Sequence, residues 1–237
     1  MQSRVTRALA LAIFLYGVPG MALSQTHEAP VANAELTIVQ WKDSNKICRS
    51  PTTPALAAVA ACAQRDSFSK LLIQMKYCHV STDKVGQAPW RPCDAAALAR
   101  NSALARTTVR IQRLAGVFLL SATINARSKA DLIIDSGASN VQIPEEVAEN
   151  MKREGTLADT DFLGERHFAQ ADGRRLKQRV IRLRTLQIGD RIMENVLATV
   201  GAPKSRALLG QSFLRRLNWW KIDNVKNVIE LEFAGSR

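Results

Sequence analysis

The sequence is poor in the side chains that most often carry chemistry. Its three histidines, His27, His79 and His167, are too scattered to suggest a triad. Its four cysteines, Cys48, Cys62, Cys78 and Cys93, include no C-x-x-C pair, and none lies beyond residue 93. Zinc sites usually bring their ligands in such close pairs, so no metal is expected, and no other motif calls for a cofactor. A serine-hydrolase elbow is missing too, because Gly137-Ala138-Ser139-Asn140-Val141 lacks the second glycine. Aromatic residues make up only 5% of the chain, and none interrupts the basic run from Arg174 to Arg184. Nucleic-acid binding, which would use stacking side chains there, is not expected.

Long apolar runs are also scarce. One lies at the start, Ala8 to Tyr16, behind Arg4 and Arg7, and Gly17, Pro19 and Gly20 interrupt it before it could span a bilayer. Ala22-Leu23-Ser24 then offers a small-x-small cleavage site before Gln25. Residues 1–24 therefore read as a signal peptide, and the protein as exported, periplasmic or secreted, rather than held by an uncleaved anchor. No cysteine follows the site to take a lipid. Cleavage would lower the net charge from +12 to +10, still high enough to favour an acidic partner or surface.

Export makes the cysteines readable as disulfides. Four in an oxidising compartment imply two bridges, and spacing does not choose among the three pairings. Residues 25–105 then form a small, helical, disulfide-stapled domain of unassigned role. Within it Leu36 to Trp41 reads as a strand. Thr53 to Gln64, Phe68 to Cys78 and Asp94 to Leu104 read as helices, and Gly86 to Pro92 as a loop.

From about residue 106 strand patterns dominate. Val117 to Ile124 is an apolar strand. Ala130 to Asp135 is another, running straight into Asp135-Ser136-Gly137-Ala138. A carboxylate fixed at the end of a buried strand suits general acid/base work, although Asp, Ser and Gly are also common turn residues. A helix begins at Ile143-Pro144-Glu145-Glu146, with proline in its first turn and acids at the positive end of its dipole. Asp172-Gly173 lies between two strand-like runs and signals a hairpin. Apolar parity slips between Leu176 and Ile181, which predicts a bulge or bend in the second strand. Leu208-Leu209-Gly210 leads into a short helix from Gln211 to Leu217, and two strands, Trp219 to Ile222 and Val228 to Phe233, close the chain.

This order resembles the retropepsin-like aspartic proteases, single-lobe relatives of the pepsins, over residues 106–237. The resemblance implies a mostly β fold, a single-lobe barrel behind the helical domain, and an endopeptidase. Asp135 matches the catalytic aspartate. Ser136, Gly137 and Ala138, with Leu208, Leu209 and Gly210, match the segments that support its loop. Phe168, Ala169, Gln170, Ala171, Asp172 and Gly173 match the flap over the substrate.

The chemistry needs two carboxylates, and the sequence holds no second Asp-[Thr/Ser]-Gly. The partner acid must come from a second copy, so the expected enzyme is a homodimer acting on peptides or proteins. The basic flap region, Arg174 to Arg184, is a solvated face or a contact for an anionic surface or acidic substrate. The competing function is a retropepsin-like lobe that binds or assembles without turnover.

Overall fold

The computed structural model describes residues 33–79, 90–97, 105–169 and 173–234. The expected signal peptide and three residues of the expected flap, Gln170, Ala171 and Asp172, lie outside these, as does most of the helix expected from Asp94, of which 95–97 are helical.

The chain starts with two helices, α1 (Ala34–Arg49) and α2 (Ala55–Gln74). The strand expected at Leu36 to Trp41 is thus part of a helix. The apolar residues were misleading because Leu36 and Val39 face solvent, 57% and 52% exposed. The buried face is Thr37, Trp41, Ser44, Asn45 and Cys48, which is helical spacing. Asn33 caps α1, its Oδ1 accepting from the Glu35 N–H at 2.8 Å. The two helices expected between Thr53 and Cys78 are one. Nothing from Ala55 to Gln74 breaks the backbone ladder, and Ala58, Ala61, Cys62, Asp66, Ser69 and Leu72 make a continuous inner stripe.

A small hairpin follows, β1 (Tyr77–His79) against β2 (Trp90–Pro92), so the predicted loop ends in a strand. Disulfides Cys48–Cys62 and Cys78–Cys93 resolve the pairing: one ties α1 to α2, the other closes the hairpin.

The remainder is β-rich. Its strands are β3 (Arg106–Arg110), β4 (Gln112–Leu114), β5 (Val117–Ile124), β6 (Ser128–Ile134), β7 (Val141–Ile143), β8 (Phe162–Ala169), β9 (Arg175–Ile188), β10 (Arg191–Val200), β11 (Leu208–Leu209), β12 (Leu217–Asp223) and β13 (Val228–Phe233). Helix α3 (Glu145–Arg153) follows β7, and the short α4 (Gln211–Leu214) follows β11, ending earlier than predicted.

Eight strands form one sheet in the order β4-β5-β6-β11-β7-β10-β9-β8, and a further β5–β9 pairing curls it into a barrel. Leu120, Ile124, Leu132, Ile143, Ile181, Leu183, Leu186 and Phe213 are almost fully buried within it. A second sheet, β12-β13-β3, packs Ile229, Leu231 and Phe233 into the same core. Trp220 joins that core, while Trp219, on the edge strand, lies under Arg106 and Lys221.

The bulge predicted in β9 falls on its partner. Phe162 pairs with Ile181 but Glu165 with Arg179, so β8 carries the extra residue, and Gly164 absorbs it at φ +96°. The slip seen in β9 has a different origin: Leu176 and Val180 lie on the face opposite Ile181 and Leu183, so apolar residues occupy both faces of an evenly alternating strand.

Candidate active site

Asp135 follows β6 at the middle of the large sheet. Strand β11 lies beside β6 in parallel, pairing Leu208 with Ile133 and Leu209 with Ile134. The ladder continues one step past β6: Asp135 N–H donates to the Leu209 carbonyl at 3.1 Å. The backbone at the acid is therefore fixed by the second apolar-apolar-glycine motif.

The loop then turns back on the carboxylate. Asp135 Oδ1 accepts from the Gly137 N–H at 2.9 Å and the Ala138 N–H at 3.2 Å. Asp135 is half-buried, and Ser136 and Gly137 are exposed. The carboxylate is thus anchored by one oxygen, with an open loop beside it.

Gly210 is required sterically. A Cβ there would lie 2.2 Å from the Asn140 carbonyl oxygen and 2.7 Å from that of Ala138. This close approach lets α4 fasten the loop. Gln211 N–H donates to the Ala138 carbonyl at 2.8 Å and Ser212 N–H to the Ser139 carbonyl at 3.0 Å. The Ser212 hydroxyl, buried, accepts from Val141 N–H at 2.8 Å and donates to the Leu197 carbonyl at 2.6 Å. The Gln211 amide donates to the Ser136 carbonyl at 2.7 Å. Gln211 and Ser212 were missed in the sequence. The available signal was an amide and a hydroxyl directly after a glycine that already matched a loop-support position.

Ser136 is held through its backbone carbonyl; among the described residues its hydroxyl makes no hydrogen bond. Phe168 pairs with Leu176 and Ala169 with Arg175, so these two residues of the expected flap lie where β8 and β9 pair as antiparallel strands. Most of the basic cluster at its base is matched within the domain. Lys177 pairs with Glu165, Arg179 with Glu145 and Glu149, and Arg182 and Arg184 with the buried Asp161. Such pairing favours a structural role for those cations over an anionic docking face.

A cavity of about 520 Å³ opens at the other end of α4, bordered by Asp66, Lys70, Arg215 and Arg216. It lies apart from the acid loop and holds no pair of acids. Among the described residues no group of acids, histidines and cysteines is arranged to hold a metal ion.

The barrel thus carries an Asp-Ser-Gly loop crossed and tied by a second glycine loop, with a hairpin between them in sequence, the arrangement that the sequence resemblance implied. The family model described as gag-polyprotein putative aspartyl protease matches residues 120–216, from β5 through the acid loop, the hairpin and α4. Over those residues the chain is similar to that aspartyl-protease family. The chain is also similar to a crystal structure of a retropepsin-like aspartic protease from Rickettsia conorii. Identity is 23%, the TM-score is 0.38, and the match covers 54% of this chain and 90% of that one. No curated protein matches the sequence.

Proposed function

We propose that the protein is an exported aspartic endopeptidase whose catalytic pair is Asp135 and Asp135 of the partner subunit in a symmetric homodimer. The observation that carries this is the anchoring of Asp135. One carboxylate oxygen is held by two backbone N–H groups, and among the described residues the other takes no hydrogen bond.

Aspartic proteases place two such carboxylates about 3 Å apart, where they share a single proton because both cannot be ionised. The ionised member takes a proton from a water as it attacks the peptide carbonyl. The protonated member donates to the carbonyl oxygen, and a proton then passes to the leaving amine. The loop's rigidity suits this, since general acids and bases act only at hydrogen-bond distance. Assembly has a surface available. Among the described residues strands β12 and β3 are the edges of the small sheet, and edge strands are the places where a second copy can add by backbone pairing. The exposed Ser136 hydroxyl would then be available to the partner's loop.

The test is cleavage of a peptide library from acidic to neutral pH by the mature protein and by Asp135→Asn, with dimer mass recorded for both. Asparagine keeps the shape but cannot shuttle a proton near neutral pH. Turnover should fall by at least ~10²-fold while the fold and the dimer persist. Unchanged cleavage by a well-folded Asp135→Asn dimer would end this reading. Absence of cleavage by the wild type would favour a binding or assembly module.

A further inference from the structure

The side of the sheet that carries Asp135 can be followed strand by strand. Leu208 pairs with Ile133 on one side and Gln142 on the other. Gln142 pairs with Thr199, and Thr199 with Val180. Directly paired residues point to the same face. Ile133, Leu208, Gln142, Thr199 and Val180 thus form one row across five strands, and none belongs to the barrel's core cluster. Their neighbours Leu132, Leu209, Val141, Ala198 and Ile181 do. Asp135 lies two residues beyond Ile133, and Gln178 two residues before Val180, so both share the row's face. So do Leu176 and its pair Phe168, which makes this the inner face of the flap hairpin.

A row beside a peptide-binding acid would ordinarily be apolar, and two members of this face are glutamines bonded to each other. Gln178 Nε2 donates to Gln142 Oε1 at 2.9 Å, and Gln142 Nε2 donates to the Arg206 carbonyl at 3.1 Å. The backbone acceptor fixes which way the Gln142 amide points. Gln178 is buried and Gln142 half-buried. Gly201 makes room for them: a Cβ there would stand 2.8 Å from Gln142 Cδ and 2.4 Å from Ser205 Oγ. That Ser205 hydroxyl is buried and has no partner among the described residues. After the internal bonds, the pair keeps unused N–H donors and carbonyl lone pairs, and Ser205 adds a hydroxyl.

We propose that Gln142 and Gln178 are specificity-determining residues and that the subsite they line takes a substrate side chain bearing an amide or hydroxyl in preference to an aliphatic one of similar size. The inference rests on the peptidase reading and adds a substrate class to it. Gln142 stands two residue rows down and two strands across from Asp135, roughly 12 Å away at about 3.3 Å per residue and 4.8 Å per strand. An aliphatic side chain there would bury the amides against a group that cannot bond them, the situation in which a polar site discriminates most strongly.

The experiment uses the full mature chain carrying Asp135→Asn, so that binding is read without turnover. A random peptide library is selected for binding. Each residue of the tightest peptide is then replaced in turn by asparagine and by leucine, which are close in size. At one position asparagine should bind at least about tenfold tighter than leucine, a difference of about 1.4 kcal/mol. Adding Gln142→Leu should abolish or reverse that preference. Gln178→Leu gives the same reading should the first variant melt early. Leucine equal to or better than asparagine at every position overturns the proposal, as does a library without binders or a preference that survives both substitutions. Wild-type cleavage is scored separately. Cleavage without amide selectivity sinks this inference alone, and amide selectivity without cleavage sinks the peptidase reading alone.

Discussion

Asp66 and Arg216 stand 150 residues apart and form a buried ion pair, with Nε 2.7 Å from Oδ2. Arg216 also donates through Nη1 to the carbonyls of Glu194 and Asn195, and Arg65 bridges Asp66 and Glu194. Helix α2 is thereby tied to β10 and to the end of α4. Because α4 fastens the acid loop at its other end, the helical part of the chain braces that loop from behind. This position suits a permanent support better than a removable cover over the cleft.

Breaking the pair should be costly because either remaining partner stays largely buried. Arg216 has a side-chain exposure of 4% and Asp66 of 7%. Asp66→Ala should destabilise the protein by about 3 kcal/mol, the usual cost of leaving a buried charge without its counterpart. Replacing both by leucine should cost less than the two single changes together. Denaturant titration of the three variants measures it, and additive losses would mean that the pair is not coupled.

Gly210→Ala tests the crossing of the two loops. The added methyl would overlap the Asn140 carbonyl, and backbone on both sides leaves it nowhere to go. The variant should lose more than ~3 kcal/mol of stability. Cleavage should fall with it, even at temperatures where the protein remains folded. A melting temperature within a degree or two of wild type would show that the loops are not locked in this way.

What the sequence made legible was local. The Asp135 strand, the Asp172-Gly173 hairpin and the Leu208-Leu209-Gly210 loop each announce themselves within a few residues, through apolar runs ended by small or turn-forming ones. Helix α1 was misread because its buried face mixes Trp41 and Cys48 with Thr37, Ser44 and Asn45, while its exposed face carries Leu36 and Val39. The β9 parity slip was visible, but it reflects apolar residues on both faces of that strand, and the extra residue on β8 is revealed only by the pairing. Three features depend on partners far along the chain: the Asp66–Arg216 brace, the Ser212 fastening and the Gln142–Gln178 pair. No window of sequence contains both halves of any of them.

The disulfides should account for every thiol. Both cysteine pairs are joined, and no free cysteine remains. Native protein treated with an alkylating reagent should gain no mass, and after reduction in denaturant it should gain four adducts. Replacing Cys48 and Cys62 together by alanine should cost about 3 kcal/mol, as expected for a bridge closing a loop of some 15 residues. Two or more labelled cysteines on the native protein would contradict the pairing.

His79 gives the helical part a dependence on pH. Its ring packs between Trp41 and Trp90, at centroid distances of 5.1 and 5.2 Å. Burial pushes its pKa down from 6.5 to about 4, and the charges of Arg65 and Arg49 act in the same direction. The folded protein therefore holds this histidine neutral, while the unfolded chain protonates it near pH 6.5. Its contribution to stability is complete above pH 6.5 and is lost as pH falls toward 4. The loss is about 3 kcal/mol at most, taking about 1.4 kcal/mol per pH unit. Below about pH 4 the folded state binds the proton too, and the loss stops growing. Carboxylates titrate in the same range, so the informative quantity is the difference between wild type and His79→Leu, measured by denaturant titration from pH 4 to 7.5. Wild type should lose stability relative to the variant as pH drops through 6, and a difference that stays constant would show that His79 is not held neutral. The direction also bears on the cleavage assay. If activity requires acid conditions, it will be read on a protein whose brace behind the Asp135 loop is weakened, and His79→Leu should then retain activity at temperatures where wild type loses it.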